Sequence, residues 1–304
     1  MNDTELLDLK TAVRAALPEL VLLENEPMSR HCSFRIGGPA ALFAEPATEA
    51  ELLRLLAVLR ERGVRPLLVG RGTNLLVADA GLRGVAIHVG EALGTVRAEG
   101  ETLSAGAGIA LAALAQFARE RSLTGLEFAH GIPGSLGGAV VMNAGAYSGE
   151  MKDVVASVRY LDAEGTVRET GDPQFSYRHS RFSEGNCVVL SATLRLRSGD
   201  GAEIEAKMKE LMERRRDKQP LEWPSAGSTF KRPATGYAAA MIDGAGCKGL
   251  TVGGAQVSEK HAGFVVNRGG ATAKDVLALM EEVRRRVRDK YGVELEPEIK
   301  IISE

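Results

Sequence analysis

The spacing of apolar residues along the chain predicts several amphipathic helices. The clearest begins at Thr48, which forms a capping box with Glu51, and its apolar period ends near Gly63. Another begins at Thr272 and is stopped by Gly292. The apolar positions that share a face of these helices, or of a shorter one between them, are Leu52, Leu55, Leu56, Leu59, Leu111, Leu114, Phe117, Val276, Leu279, Met280, Val283 and Val287.

Alternating apolar and polar residues predict antiparallel strands in the middle of the chain. These strands cover residues 154–160, 166–170 and 188–196. The sequence Asp-Ala-Glu-Gly at 162–165 is typical of a hairpin turn between the first two. Helices mixed with antiparallel hairpins indicate an α+β fold rather than a doubly wound sheet.

Three further strands are predicted outside that region. Short apolar runs at 66–69 and 75–77 flank a glycine turn. The end of the chain, residues 293–302, alternates with Glu294, Glu296 and Glu298 on one side and Leu295, Pro297 and Ile299 on the other. This alternation predicts a final strand.

Chain length and one change of composition predict more than one domain. The 304 residues exceed the length over which a single hydrophobic core usually keeps growing. A polar, glycine-containing stretch at 198–201 precedes a highly charged helical pattern over 202–218. We therefore expect a first domain over residues 1–200 and a second over residues 201–304.

Composition and charge exclude several classes of protein. Apolar residues make up 44% of the chain, the mean hydropathy is −0.06 and the formal net charge is −2. These values are typical of a soluble protein without electrostatic attraction for nucleic acid or anionic lipid. Residues 1–9 lack the features of a secretory signal, and no segment is apolar enough to span a membrane. We expect a cytoplasmic protein with no nucleic-acid or membrane partner.

Cysteine and histidine positions predict neither disulfides nor a metal site. Cys32, Cys187 and Cys247 lie far apart and are odd in number. The histidines show no HExxH or paired spacing. A reducing compartment and no bound metal are therefore expected.

Two glycine loops resemble dinucleotide-binding fingerprints but depart from them. The dinucleotide-binding fingerprint is Gly-x-Gly-x-x-Gly. Glycines at 70 and 72, and at 106 and 108, have the spacing of its first two glycines, but leucines stand where the third glycine would be. The first loop also lacks the Gly-Lys-Ser/Thr ending of a P-loop. It could still present backbone N–H groups to a pyrophosphate, and an ordinary structural turn is the alternative for either loop.

A third glycine-rich segment, residues 131–149, is unusual for its length. Glycine, alanine and serine dominate it, so it cannot form an ordinary core element throughout. Each glycine in a regular element costs roughly 0.5–1 kcal/mol of backbone entropy. A cofactor lying against bare backbone would offset that cost, and a tightly wound set of turns is the other explanation.

Six motifs follow one another along the chain. They are Phe-Arg-Ile-Gly-Gly at 34–38, Gly-Arg-Gly-Thr-Asn-Leu-Leu at 70–76, Gly-Ile-Pro-Gly-Ser at 131–135 continuing to Asn-Ala-Gly-Ala-Tyr at 143–147, Tyr-Arg-His-Ser-Arg-Phe at 177–182, Ala-Gly-Ser-Thr-Phe-Lys-Arg-Pro at 226–233 and Leu-Glu-Pro-Glu at 295–298. In this order they resemble the UDP-N-acetylenolpyruvoylglucosamine reductase family. The resemblance covers nearly the whole chain, and chance agreement of all six is implausible.

The resemblance implies a vanillyl-alcohol-oxidase-type FAD fold. Two α/β lobes, approximately 1–80 and 81–200, would bind FAD ahead of a C-terminal substrate-binding domain over 201–304. It also implies NADPH as reductant and UDP-N-acetylglucosamine enolpyruvate as the small-molecule substrate. The short connection after the 177–182 motif resembles the family's second type, which lacks an inserted tyrosine-bearing loop. The residues implied for FAD are Gly70, Arg71, Gly72, Thr73, Asn74, Leu75, Gly131, Pro133, Gly134, Ser135, Gly137, Gly138, Asn143, Gly145 and Ala146.

Reducing an enolpyruvyl ether requires hydride delivery to its β-carbon and protonation of its α-carbon. The resemblance implies that FAD N5 supplies the hydride and that Ser228 donates the proton. It implies that Arg178 holds the substrate carboxylate, and that Glu298 supports the enolic species in its protonated form or through Arg178. Considered alone, Arg178 could form a surface salt bridge, Ser228 could be a turn serine, and Glu298 could lie on a solvated strand face.

The substrate contacts implied by the resemblance are Tyr177, Lys231 and Tyr237. Lys231 could equally be a solvated edge-strand lysine, and Tyr237 a packing residue. Arg232 stands where the family often has asparagine, so its substrate contact stays open, although an arginine could reach a phosphate.

Other conspicuous residues receive structural interpretations. The basic run at 214–216 shares its helix with Glu210, Glu213 and Asp217 and is interpreted as a solvated face. His130 adjoins the glycine-rich segment, where a packing or supporting role is preferred to covalent flavin attachment. Trp223 is interpreted as a packing residue.

Two other functions are compatible with the sequence. An oxidase of alcohols or sugars would keep the flavin fold and use oxygen as acceptor, and a nucleotide-sugar binding protein would have no redox role. We prefer the reductase hypothesis because Ser228 and Glu298 accompany the flavin motifs. A monomer is expected.

Overall fold

The computed structural model describes residues 1–303 and divides the chain into two compact units. Unit 1 comprises Met1–Leu23, Phe43–Arg71 and Gly84–Arg215, and unit 2 comprises Glu24–Leu42, Gly72–Arg83 and the chain from Arg216 onward. This division differs from two contiguous domains meeting near residue 200. Two early segments belong with the late one because they are hydrogen-bonded to it.

The helices predicted from apolar spacing are all present. At the start of the second helix, Thr48 accepts a hydrogen bond from the Glu51 N–H at 3.2 Å. The Glu51 carboxylate accepts from Ala47 instead of closing the predicted box on Thr48. The helices are α1 Asp3–Ala16, α2 Glu49–Glu61, α3 Leu111–Arg119, α4 Leu136–Met142, α5 Gly201–Lys218, α6 Ala238–Gly244 and α7 Ala273–Tyr291.

The strands form one five-stranded sheet, one four-stranded sheet and several smaller ones. In order across each sheet they are β12-β11-β13-β7-β6, β1-β2-β5-β3, β15-β16-β17, β10-β9, β14-β8 and β18-β4. Their bounds are β1 Val21–Pro27, β2 Pro39–Glu45, β3 Leu67–Val69, β4 Leu75–Val77, β5 Leu82–His88, β6 Val96–Glu99, β7 Thr102–Gly106, β8 Leu123–Thr124, β9 Gly145–Ala146, β10 Gly149–Glu150, β11 Val155–Leu161, β12 Val167–Thr170, β13 Val188–Arg195, β14 Arg197–Ser198, β15 Thr251–Val252, β16 Ala255–Val257, β17 Val265–Asn267 and β18 Lys300–Ile302.

The five-stranded sheet of unit 1 is antiparallel and has one buried face. The predicted hairpin is present, with Leu161 opposite Val167 across β11 and β12. The inward positions of the sheet are apolar and include Leu103, Val158 and Leu194, each fully buried. Helix α4 packs on β13 and β7, so the sheet supports the glycine-rich segment that contains this helix.

Unit 2 contains a strand pair that joins distant parts of the chain. Strand β18 runs parallel to β4, with Lys300 opposite Leu75. The predicted final strand over 293–302 is wrong in its first part, since only Lys300–Ile302 is a strand. Pro297 lacks an N–H group for a ladder, and it forms an isolated bridge with Phe230 instead.

Helix α7 organises the remaining part of unit 2. It begins with a capping box between Thr272 and Asp275 and ends at Gly292, which has φ +66°. It packs against α6, β15 and β16. The apolar face predicted for α7 is buried throughout, at Val276, Leu279, Met280, Val283 and Val287.

Candidate active site

The first glycine loop joins β3 to β4 and has backbone N–H groups that bind no protein acceptor. Those of Arg71, Gly72 and Thr73 make no hydrogen bond within residues 1–303. Gly72 has φ +60°, and a Cβ there would lie 2.0 Å from the carbonyl oxygen of His31. The turn therefore requires glycine, and its consecutive N–H groups suit an anion.

The second glycine loop is explained by close packing within unit 1. A Cβ on Gly106 would lie 2.1 Å from the carbonyl oxygen of Leu93, and one on Gly108 would lie 1.8 Å from that of Gly90. Both approaches exclude any side chain. Of the two explanations that the sequence left open for this loop, packing favours the structural turn.

Part of the glycine-rich segment is likewise needed for packing. A Cβ on Gly137 would lie 2.9 Å from the Cβ of Ala107, and one on Gly145 would lie 2.6 Å from Glu150 Cγ. The segment is not irregular throughout, because Leu136–Met142 forms α4. The N–H groups of Leu136 and Gly137 donate to the carbonyl oxygens of Ile109 and Ala107, beside the second glycine loop, at 2.9 and 2.8 Å, so they are not available to a ligand.

A more open part of the segment surrounds Ser135. A Cβ on Gly138 would meet only the Ser135 Oγ, at 3.8 Å, whereas one on Gly70 would approach that oxygen to 2.3 Å. Ser135 is only 3% exposed, and its hydroxyl makes no hydrogen bond in the described chain. The hydroxyl can therefore hydrogen-bond to a group outside the chain.

Asn143 ends α4 in the left-handed conformation, with φ +42°. Its side chain is fully buried and fully hydrogen-bonded. The amide Nδ2 donates to Glu150 Oε2 at 2.9 Å and to the Ser176 carbonyl at 3.0 Å, and Oδ1 accepts from the Lys152 N–H at 3.0 Å. Any contact of Asn143 with a cofactor would therefore use its backbone.

The Glu150 carboxylate that binds Asn143 is held in its charged form. Its hydrogen bond with Lys152, at 2.8 Å, is the main cause that lowers the pKa of Glu150, and the Asn143 amide adds to the effect. The ion pair of Glu150 and Lys152 therefore lies beside the end of α4.

Arg178 lies in a tight hairpin that reaches the glycine-rich segment within unit 1. Ser176 and His179 exchange backbone hydrogen bonds of 3.0 and 3.2 Å around it. The Arg178 guanidinium donates to the Gly145 carbonyl oxygen at 3.3 Å and lies 5.0 Å from the Tyr177 ring. Unit 1 therefore brings together Arg178, Tyr177 and part of the predicted flavin segment.

Unit 2 brings together Ser228, Glu298 and the part of the first glycine loop that follows Arg71. The Glu298 N–H donates to the Thr229 carbonyl oxygen at 2.9 Å, which aligns Glu298 beside the Ser228–Thr229 pair. Asn74 Nδ2 donates to the Glu298 carbonyl oxygen at 3.2 Å. Ser228 is exposed and its hydroxyl makes no hydrogen bond within residues 1–303, while Glu298 is half-buried.

The three remaining substrate candidates are at least partly accessible. Tyr177 is 47% exposed and Tyr237 is 61% exposed. Lys231 forms an ion pair with Glu296, at 3.1 Å. The Arg232 guanidinium stacks on the Tyr237 ring at 4.2 Å, so these two residues present one combined surface.

The interpretation of residues 214–216 as a solvated face is wrong for Arg215. Its guanidinium lies 6.0 Å from the Tyr147 ring, and its Nε is 3.0 Å from the position that a Cβ on Gly131 would occupy. Burial lowers the pKa of Arg215, and the Tyr147 phenol opposes that shift. The charge pattern of the helix could not reveal this contact, because Tyr147 is remote in sequence.

Two other side chains extend the picture. The Nδ1 atom of His130 is buried beside the glycine-rich segment without a hydrogen-bond partner in the described chain. Trp223 is half-buried and packs against the Arg268 guanidinium, which lies 3.8 Å from its ring centroid.

These features fit a flavin dinucleotide. The free N–H groups at 71–73 can hold a pyrophosphate. The Ser135 hydroxyl and the buried, unpaired Nδ1 of His130 provide polar atoms for a bound ring system. Among residues 1–303 there is no group of three or more His, Cys, Asp or Glu side chains that could hold a metal. The described helices include none long and apolar enough to cross a membrane.

The match to family models defines the class of protein. Residues 40–171 match the model of an FAD binding domain. A distant solved structure, a variant of Phl p 4 described as a glucose oxidase, matches with a TM-score of 0.50 and 13% identity, over 64% of this chain and 44% of its own. That likeness shows the fold alone. The chain is an FAD-dependent oxidoreductase of α+β fold, as the sequence predicted.

Closer relatives identify the family. Residues 219–302 match the C-terminal domain of UDP-N-acetylenolpyruvoylglucosamine reductase. The reductase of that name from Caldanaerobacter subterraneus is 50% identical over 96% of this chain and 97% of its own, and that from Heliobacterium modesticaldum is 50% identical over 93% and 91%. The crystal structure of the Thermus caldophilus reductase matches with a TM-score of 0.79 and 34% identity, over 94% and 99%. The chain belongs to the UDP-N-acetylenolpyruvoylglucosamine reductase family.

Proposed function

We propose that this chain reduces UDP-N-acetylglucosamine enolpyruvate to UDP-N-acetylmuramate, a step of peptidoglycan precursor synthesis, with NADPH as reductant. The observation that carries the proposal is the alignment of Glu298 with Thr229, joined by a hydrogen bond of 2.9 Å next to the unpaired Ser228 hydroxyl. A carboxyl group and a hydroxyl on neighbouring segments suit delivery of a proton to a substrate carbon.

The bound FAD would take hydride from NADPH and deliver it from N5 to the β-carbon of the enolpyruvyl group. Arg178 would bind the substrate carboxylate and stabilise the negative charge that develops on the enolic species. Ser228 would donate the proton to the α-carbon. Because a serine hydroxyl is a weak acid, Glu298 would support it by stabilising the enolic species, in its protonated form or through Arg178.

The FAD contacts fall into two groups. The loop at 70–75 would hold the pyrophosphate with the free N–H groups of Arg71, Gly72 and Thr73. The segment 131–146 would contact the cofactor through Ser135, the open backbone at Gly138 and the carbonyl-rich turns around them. Asn143 would act by holding the segment in shape.

The proposed substrate contacts are Tyr177, Lys231 and Tyr237. Tyr177 and Tyr237 offer exposed rings for the sugar and base, and Lys231 would exchange its solvent-exposed partner Glu296 for a phosphate. The exposed ion pair is weak enough to allow that exchange. A monomer in the cytoplasm is part of the same proposal.

An anaerobic visible spectrum of the purified protein tests the function. Bleaching of the oxidised-flavin band by NADPH, followed by its return on adding UDP-N-acetylglucosamine enolpyruvate, is expected. A flavin that is bleached but returns only with oxygen would favour an oxidase. A protein with no flavin band even after FAD addition would leave the binding-protein hypothesis.

A further inference from the structure

The hairpin that carries Arg178 is anchored on its first strand by Asn143. The Asn143 Nδ2 donates to the Ser176 carbonyl oxygen at 3.0 Å. The same amide is fixed at both ends by Glu150 and by the Lys152 N–H, and it is fully buried. It cannot rotate away from Ser176 without breaking these other hydrogen bonds, so the anchor is rigid.

The chain that follows Arg178 in this hairpin is anchored by a pair of serines. The hydroxyls of Ser180 and Ser183 each donate to the Val141 carbonyl oxygen, both at 2.8 Å. The Ser183 hydroxyl also accepts from the Ser180 N–H at 3.0 Å, so the two side chains form one cluster. Ser180 is fully buried and Ser183 is half-buried. Both anchors therefore end on the last residues of α4 and its cap.

The backbone of Arg178 needs such support. It has φ +54°, in the left-handed region that is unfavourable for a residue with a Cβ. Such a conformation persists when the surrounding contacts define it more firmly than the residue itself would. With both strands tied to α4, the guanidinium is directed to the Gly145 carbonyl oxygen at 3.3 Å.

We propose that Asn143 and the Ser180–Ser183 pair are positioning residues for Arg178. They fix the hairpin backbone so that the guanidinium meets the substrate carboxylate in one orientation. The inference rests on the proposed role of Arg178 as the carboxylate ligand. None of the three side chains needs to touch substrate or flavin for this role.

The test uses anaerobic rapid mixing of the NADPH-reduced, FAD-loaded enzyme with UDP-N-acetylglucosamine enolpyruvate. Ser180→Ala should slow the return of the oxidised-flavin band about tenfold at low substrate concentration, since displacement by roughly 1 Å can cost up to a hundredfold. Its dissociation constant for substrate, read from perturbation of the oxidised flavin spectrum, should rise by about the same factor. Flavin reduction by NADPH should stay within about twofold of the wild-type rate.

A double-variant cycle separates positioning from a general structural effect. In an Arg178→Ala background, Ser180→Ala should change the reoxidation rate by less than about twofold, because its effect passes through Arg178. An equal slowing with and without Arg178 would overturn the positioning role while leaving the proposed function intact. If the flavin of Arg178→Ala were reoxidised at the wild-type rate, that result would contradict the role of Arg178 in the proposed function.

A further variant guards against misfolding. Should Ser180→Ala fail to retain FAD, the half-buried Ser183→Ala repeats the cycle, with the same expected pattern. Ser157→Ala is the matched control. It removes a serine hydroxyl that donates to Glu169 on the β11–β12 hairpin, and it should alter neither half-reaction.

Discussion

The side-chain amide of Asn74 donates a hydrogen bond of 3.2 Å to the backbone carbonyl of Glu298, 224 positions further along the chain. Within unit 2 this contact joins the loop proposed to hold the pyrophosphate to the residue proposed to act at the substrate. The Lys300 N–H donates to the Asn74 carbonyl oxygen at 2.8 Å, so the two segments are linked twice.

We predict that Asn74→Ala lowers the free energy of unfolding by about 1 kcal/mol, the usual value of one internal hydrogen bond. Urea unfolding followed by circular dichroism measures it. The matched variant Asn186→Ala removes an exposed hydrogen bond from Arg65 and should cost a few tenths of a kcal/mol at most. Equal losses in the two variants would contradict the structural importance of the Asn74 contact.

Gly72→Ala should be far more harmful than Gly100→Ala, although both glycines have nearly the same backbone conformation, φ +60° and +56°. At Gly72 the new Cβ would lie 2.0 Å from the His31 carbonyl oxygen, whereas Gly100 has no neighbour within 4 Å. We expect a loss of about 3 kcal/mol or more for Gly72→Ala and about 1 kcal/mol for Gly100→Ala. The difference between the chemical unfolding midpoints of the two variants measures how much the close approach at position 72 destabilises the protein. Similar midpoints would show that conformation alone explains the glycine at 72.

Ser228→Ala should leave flavin reduction by NADPH unchanged and slow reoxidation by the enolpyruvyl substrate by about a hundredfold or more, the usual contribution of one proton donor. The Ser228 hydroxyl has no hydrogen bond within residues 1–303, so its loss should leave the protein's stability nearly unaltered. Stopped-flow measurement of each half-reaction provides the test. Equal slowing of both half-reactions would remove Ser228 from the proton-donor role.

Glu282 on α7 should contribute stability that depends on pH. Hydrogen bonds from Arg285 and Arg286 lower the pKa of Glu282 from 4.5 to about 2. Because this pKa is depressed in the folded state, the contribution is complete above pH 4.5 and is lost as the pH falls toward 2.

At pH 7 the wild-type protein should have a higher melting temperature than Glu282→Gln. The difference between the two melting temperatures should become smaller below pH 4.5. The gap should also shrink in high salt, since the Glu282 side chain is partly exposed to solvent. Glu99→Gln on β6, whose carboxylate has no ion pair in the described chain, serves as control and should show no such dependence. A gap that stays constant down to pH 3 would contradict the assignment.

Local signals were sufficient for some elements and not for others. Helix α7 was predictable because its capping box, its apolar face and its terminal glycine all indicate the same helix. Helix α1 was missed although Asn2 and Glu5 form a capping box. It buries only Leu9 and Val13, which gives a weak apolar period. The alternation of apolar and polar residues over 293–299 led to the wrong prediction of a strand, because Pro297 cannot donate a hydrogen bond to a β-ladder.

The candidate site shows a similar division. Motifs predicted which residues belong to it, and the structure shows hydrogen bonds between Arg178 and Gly145 and between Asn74 and Glu298. No local pattern could show that the Asn143 amide is saturated or that one arginine of a basic run, Arg215, turns inward. Both depend on partners that folding brings from elsewhere in the chain.

The pairing of β4 with β18 has a consequence for synthesis on the ribosome. Strand β4 finds its partner in the described chain only in residues 300–302. A nascent chain can complete the sheet of unit 1 early, but Leu75–Val77 must wait until residues 300–302 have been synthesised. Deletion of residues 300–302 should therefore impair maturation of the loop at 70–75 more than its distance in sequence suggests.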